Sequence, residues 1–100
     1  MISFTTEVFT IKNPKNKLRA YGSLLIDLQG ETKLKVKGFK IFEGSNGVFV
    51  KPPQTKGSDK EGNDTWYDDI TFMNDDENHT IRNEVYEDFV TTYNKYVKEA

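Results

Sequence analysis

The chain reads as an α+β fold: an antiparallel β-sheet meander of about five strands followed by one long C-terminal helix. Three observations predict it. Val, Ile, Thr and aromatic residues dominate the first half and are interrupted by Asn, Gly and Pro at short intervals. From Ile81 onward, apolar residues recur at every fourth position through Val85, Phe89, Tyr93 and Val97, the spacing of one helix face. The 100 residues, 35% of them hydrophobic, supply one core and no second domain.

Each element follows in turn. Ile2 to Ile11 is a first strand closed by the turn residues Asn13-Pro14-Lys15-Asn16, so it ends near Lys12. Leu18 to Leu28 is a second, with Ala20, Gly22, Leu24, Ile26 and Leu28 on one face and Gly30 marking a hairpin. The third opens on Lys33-Leu34-Lys35-Val36-Lys37, with three lysines on one face and two apolar residues on the other. Its phase then reverses. Phe39 and Ile41 carry the parity of the lysines, so burying both requires an extra residue, and a β-bulge at Gly38 absorbs it at least cost. Glu43 to Gly47 is a turn, and Val48-Phe49-Val50 is a short strand closed by Pro52-Pro53. Residues from about 52 to 66 contain almost nothing apolar and read as one long loop. Tyr67 to Met73 forms a last strand. Asn74-Asp75-Asp76-Glu77 then offers caps and negative charge at the start of a helix over about 76–97, its stripe widened by Tyr86, Val90 and Tyr96. The whole is a single domain over residues 1–100.

Several function classes fall away on composition. With no cysteine there is no disulfide framework, thiolate metal site or Cys nucleophile, and the cytoplasm is the expected compartment. The longest apolar runs, such as Leu24-Leu25-Ile26, are far short of a membrane span, and the first residues lack the layout of a signal peptide. His79 is the one histidine. A solvated side chain at a helix end is its first reading, a metal ligand beside Asp75 and Glu77 the second. No phosphate loop, dinucleotide fingerprint or nucleophile elbow is present. No enzyme activity, cofactor, metal or small-molecule substrate is expected.

Charge is more informative. The net value is −2, yet residues 1–60 carry +6 and residues 61–100 carry −8. Lys33, Lys35 and Lys37 on one strand face, with Arg19 and Tyr21 sharing a face of the neighbouring strand, make a cationic surface with an aromatic, suited to a nucleic-acid backbone and its bases. Lysines on a half-exposed strand also serve simply to keep it soluble and unpaired. Lys51, Lys56 and Lys60 add cations in and beside the long loop. Trp66, beside a strand, reads first as a core plug and second as an exposed stacking residue.

The segment Leu18-Arg19-Ala20-Tyr21-Gly22-Ser23-Leu24-Leu25-Ile26-Asp27, then Phe39-Lys40-Ile41-Phe42-Glu43-Gly44-Ser45-Asn46-Gly47-Val48-Phe49-Val50 and Pro53, resembles the SpoVG family of bacterial septation and sporulation regulators. Asn74 and the helix residues Ile81, Val85, Asp88 and Phe89 continue the resemblance without a gap, so that it covers about Leu18 to Tyr93. The Gly-x-Asn-Gly-Val-Phe-Val hairpin with its downstream proline is the most specific part. The resemblance implies a small homodimer of β-sheet plus helix that binds DNA or RNA with low sequence specificity and catalyses nothing.

The chain departs from that family in charge. Of a basic pair expected in the loop, only Lys56 after Thr55 remains; Asp68 stands before Asp69 where the family has Arg; and Asn78 and Thr80 replace cations at the helix start. Two expectations result. In the first, Lys33, Lys35, Lys37, Arg19, Lys51, Lys56 and Lys60 bind nucleic acid, weakly to moderately. In the second, the chain is a protein-interaction or inhibitor module of a phage or mobile element, and Asp68, Asp69, Asp75, Asp76 and Glu77 meet a basic protein partner. Neither reading involves a membrane.

Overall fold

A computed structural model of the chain describes residues 3–99, with the side chains of residues 98 and 99 left out of account. Ile2, the expected start of the first strand, lies outside the described residues. Four strands run in sequence order as an antiparallel sheet: β1 (Phe4–Thr10), β2 (Leu18–Asp27), β3 (Lys33–Gly44) and β4 (Gly47–Lys51). Two more, β5 (Gln54–Ser58) and β6 (Asp64–Asp68), pair only with each other, and the helix α1 (Thr80–Glu99) closes the chain.

One face of the large sheet is covered. Val8, Ala20, Leu24, Phe39, Ile41 and Val50 point to it from the four strands and meet Val85 and Phe89 of α1. Phe39, Ile41 and Phe89 have no exposed surface, and the Phe39 and Phe89 rings lie with centroids 4.7 Å apart. Gly22 admits that contact, because a Cβ there would sit 2.7 Å from the Phe89 ring. The helix is fixed further along β1, where the Thr6 hydroxyl donates to Asp88 Oδ2 at 2.7 Å and lies 2.9 Å from Thr92 Oγ1. Ile81 and Val97, at the two ends of the expected stripe, are half exposed.

The bulge at Gly38 is present. Gly22 pairs with Phe39 and Ser23 with Lys37, which leaves Gly38 outside the ladder at φ 100°, against Pro53. Phe39 and Ile41 are thereby buried on the side of Leu34 and Val36, and the lysines before and after the bulge emerge on the other side.

Two expectations are corrected. The segment of about 52–66 is a β-hairpin, not a long loop. Asp59 Oδ1 accepts hydrogen bonds from the amides of Glu61 and Asn63, both at 2.9 Å, and Gly62 at φ 83° completes the turn. Both faces of this two-stranded sheet are largely open, so it lacks the apolar alternation by which strands are recognised. The last strand is likewise Asp64–Asp68 and not Tyr67 to Met73. The Asp69 amide makes a final bond to the Pro53 carbonyl at 2.7 Å, after which Ile70 and Phe72 cross against the core without ladder bonds.

The helix begins at Thr80, later than expected, because Asp75 and Asp76 fold back over its first turn. Asp76 Oδ1 accepts from the amides of Asn78 and Thr80, both at 3.0 Å. The Asp75 carboxylate accepts from Ile81 at 3.2 Å and Arg82 at 3.0 Å. Four amide donors that the helix or its approach would leave open are satisfied in this way.

Candidate nucleic-acid interface

The face of the sheet turned away from α1 carries the side chains that the core excludes. Strand register places Phe9 opposite Tyr21, Tyr21 opposite Lys40 and Lys40 opposite Lys51, a single row across all four strands. At about 4.8 Å per strand the row is roughly 14 Å long. Glu7, Ser23 and Lys37 form the next row on one side, while Phe42 opposite Phe49 lies on the other. The rings are accessible: Phe9 is 54% exposed, Tyr21 45% and Phe49 44%. Phe42 and Phe49 stack with centroids 5.7 Å apart and planes 20° from parallel, and Lys51 Nζ lies 5.3 Å from the centre of the Phe42 ring.

The expected cations divide by their partners. Lys33 pairs with Asp27, Lys35 Nζ lies 3.1 Å from Glu7 Oε1, Arg19 is 2.5 Å from Glu43, and Lys56 is 3.3 Å from Asp64. Among the described residues Lys37, Lys51 and Lys60 have no such carboxylate. Lys37 and Lys51 belong to the open face, whereas Lys60 stands at the exposed tip of the β5–β6 hairpin, so the structure does not bring the seven together. Arg19 is a correction to the expected face. The ladder shifts between Leu18 and Ala20, and the guanidinium reaches Glu43, two residues along β3 from the buried Ile41 and on the same side of the strand, instead of joining Tyr21.

Sequence reasoning missed Lys40, Phe9, Phe42 and Phe49. The signal for Lys40 was present: the same phase reversal that demands a bulge at Gly38 moves the even-numbered Lys40 and Phe42 onto the face of the odd-numbered lysines. Trp66 is also corrected, since it is 60% exposed and plugs no core. Its strand pairs with β5 alone, opposite Lys56, so among the described residues no second layer buries it. It forms a wall of a cleft of about 210 Å³ completed by Lys40, Phe42, Lys51, Pro52 and Gln54.

The expected acidic surface is largely engaged within the chain. Asp68 accepts from Gln54 Nε2 and Asp69 from the Thr55 hydroxyl, both at 2.7 Å. Asp75 and Asp76 hold the helix start, and their carboxyls lie below the ordinary range. For Asp75 the main cause is the Arg82 amide, and for Asp76 the Thr80 hydroxyl and amide. Glu77 is exposed. On the helix side, a second cleft of about 370 Å³ brings His79, Arg82 and Tyr86 beside Lys51 and Asp68; burial raises the Tyr86 phenol. Among the described residues no three His, Asp or Glu side chains converge as a metal site.

No protein-family model, curated protein or solved structure matches the chain. No helix among the described residues is long and apolar enough to cross a membrane.

Proposed function

We propose that this chain is a SpoVG-like regulator that binds DNA or RNA with low sequence specificity, without catalysing a reaction, through the open face of its four-stranded sheet. One observation carries the reading. Lys37, Lys40 and Lys51, with no carboxylate partner among the described residues, share a face with the exposed rings of Phe9, Tyr21 and Phe49. Lysines attract phosphates irrespective of sequence, and aromatic faces accept any base, so the combination favours nucleic acid over a basic or neutral protein. A cytoplasmic homodimer belongs to the same proposal.

A mobility-shift titration across salt concentrations tests it. Binding that weakens linearly in log–log form with added salt is expected; absence of binding to single- and double-stranded DNA and RNA at low salt rejects the reading. The second reading, a phage or mobile-element inhibitor that meets a basic partner, has Glu77, Glu84 and Glu87 exposed in its favour. Asp68, Asp69, Asp75 and Asp76 are already hydrogen-bonded within the chain. Capture of a host protein that survives nuclease treatment would support this second reading.

A further inference from the structure

We propose that the cleft between Phe42 and Trp66 seats one unpaired nucleobase, which makes single-stranded DNA or RNA the ligand of the open face. The inference rests on the nucleic-acid reading and goes beyond it by fixing the form of the ligand and the place where a base is held.

Two aromatic residues and two lysines are among the six residues that line the cleft. Phe42 and Trp66 face it together with Lys40 and Lys51, and its volume of about 210 Å³ is smaller than the roughly 300–1,000 Å³ of clefts that take drug-sized ligands. The Phe42 ring is held before any ligand arrives, by stacking on Phe49 and by the Lys51 ammonium 5.3 Å from its centre. Trp66 is the chain's single tryptophan and stands 60% exposed on a hairpin that no second layer covers among the described residues, so packing within the described chain does not account for its position. A base between the two rings would cover both.

Charge decides between occupants. An apolar protein side chain would fit the rings but would leave Lys40 and Lys51 desolvated and unpaired, whereas the phosphates flanking a base neutralise both. From the cleft, the row that begins with Lys51 and Lys40 continues across the sheet to Tyr21 and Phe9 and gives the neighbouring nucleotides two more rings. A duplex cannot use these rings, because its bases already stack on one another and hide their faces. The Gln54 side chain at the cleft wall donates from Nε2 to Asp68 Oδ1 at 2.7 Å, which fixes its orientation beside the rings.

Trp66 itself reports the outcome. The emission of the full chain is titrated with an oligothymidylate and an oligouridylate of about a dozen nucleotides, and with a duplex of equal length, while affinity is followed by anisotropy of labelled strands. The expected result is quenching by the single strands and affinity at least tenfold above that for the duplex at equal salt. Trp66→Leu and Phe42→Leu should each lower single-strand affinity about tenfold with an unchanged salt slope, and Trp66→Phe should retain most of it. Salt-dependent binding with unchanged Trp66 emission, or a duplex bound as tightly as the single strands, overturns the inference and leaves the nucleic-acid reading intact. Absence of binding to every nucleic acid at low salt removes that reading, and the inference with it.

Discussion

Lys40 of β3 stands directly opposite Tyr21 of β2 on the open face of the sheet, and it does so because Gly38 is left out of the ladder between them and Lys37. Without the bulge, strict alternation would put Lys40 on the core side and Phe39 and Ile41 in solvent. One glycine thus buries the two largest β3 side chains of the core and unites the lysines before and after it on one surface.

Gly38→Ala should therefore destabilise the fold. The residue sits at φ 100°, and an added Cβ would meet the Pro53 side chain at 3.1 Å. A loss of about 1–3 kcal/mol is expected in chemical denaturation from the backbone strain alone.

Phe89→Ala removes the ring that joins the helix to the sheet at Phe39 and Gly22. A cost of about 3–5 kcal/mol is expected, read by thermal or denaturant unfolding. Gly22→Ala presses on the same ring and should destabilise as well, whereas alanine at the solvent-exposed Lys60 should leave stability within about 0.5 kcal/mol.

The bulge, the covered sheet face and the amphipathic helix were legible in the sequence because each rests on hydrophobic periodicity backed by burial. The β5–β6 hairpin was not, because its residues face solvent on both sides and its pairing is carried by backbone bonds that any sequence can make. The same cause hid Trp66. Its exposure follows from the missing second layer, which no local pattern encodes. On the open face, Lys33, Lys35 and Lys37 were legible as a stripe, but the pairing of Lys33 with Asp27 and of Lys35 with Glu7 arises from cross-strand register and reach that the local pattern does not reveal.

The division of cations predicts unequal effects. Alanine at Lys37, Lys40 or Lys51 should each lower the slope of log affinity against log salt by about 0.7 for a single strand. Alanine at Lys33 or Lys35 should change it less, because each already faces a carboxylate. The converse also holds: Glu7→Gln combined with Asp27→Asn frees both ammonium groups and should raise affinity at low salt, measured in the same titration.

The helix start should be acid-sensitive. Asp75 and Asp76 have carboxyls held below their unfolded value of 3.8, so their ionised forms contribute stability that is present above that value. That contribution is lost as pH falls from 3.8 through the lower folded values. Thermal stability and helical circular dichroism should therefore decline over this acidic range, and Asp75→Asn combined with Asp76→Asn should flatten the decline.

The central claim is most directly tested by mapping backbone amide shifts of the labelled chain as a single-stranded oligonucleotide is added at low salt. The account predicts the largest changes at Tyr21, Lys37, Lys40, Phe49 and Lys51 and at the Trp66 indole, with Glu84 and Glu87 on the helix unmoved. Changes confined to Asp68–Glu77 and the helix, or none at all, would contradict it.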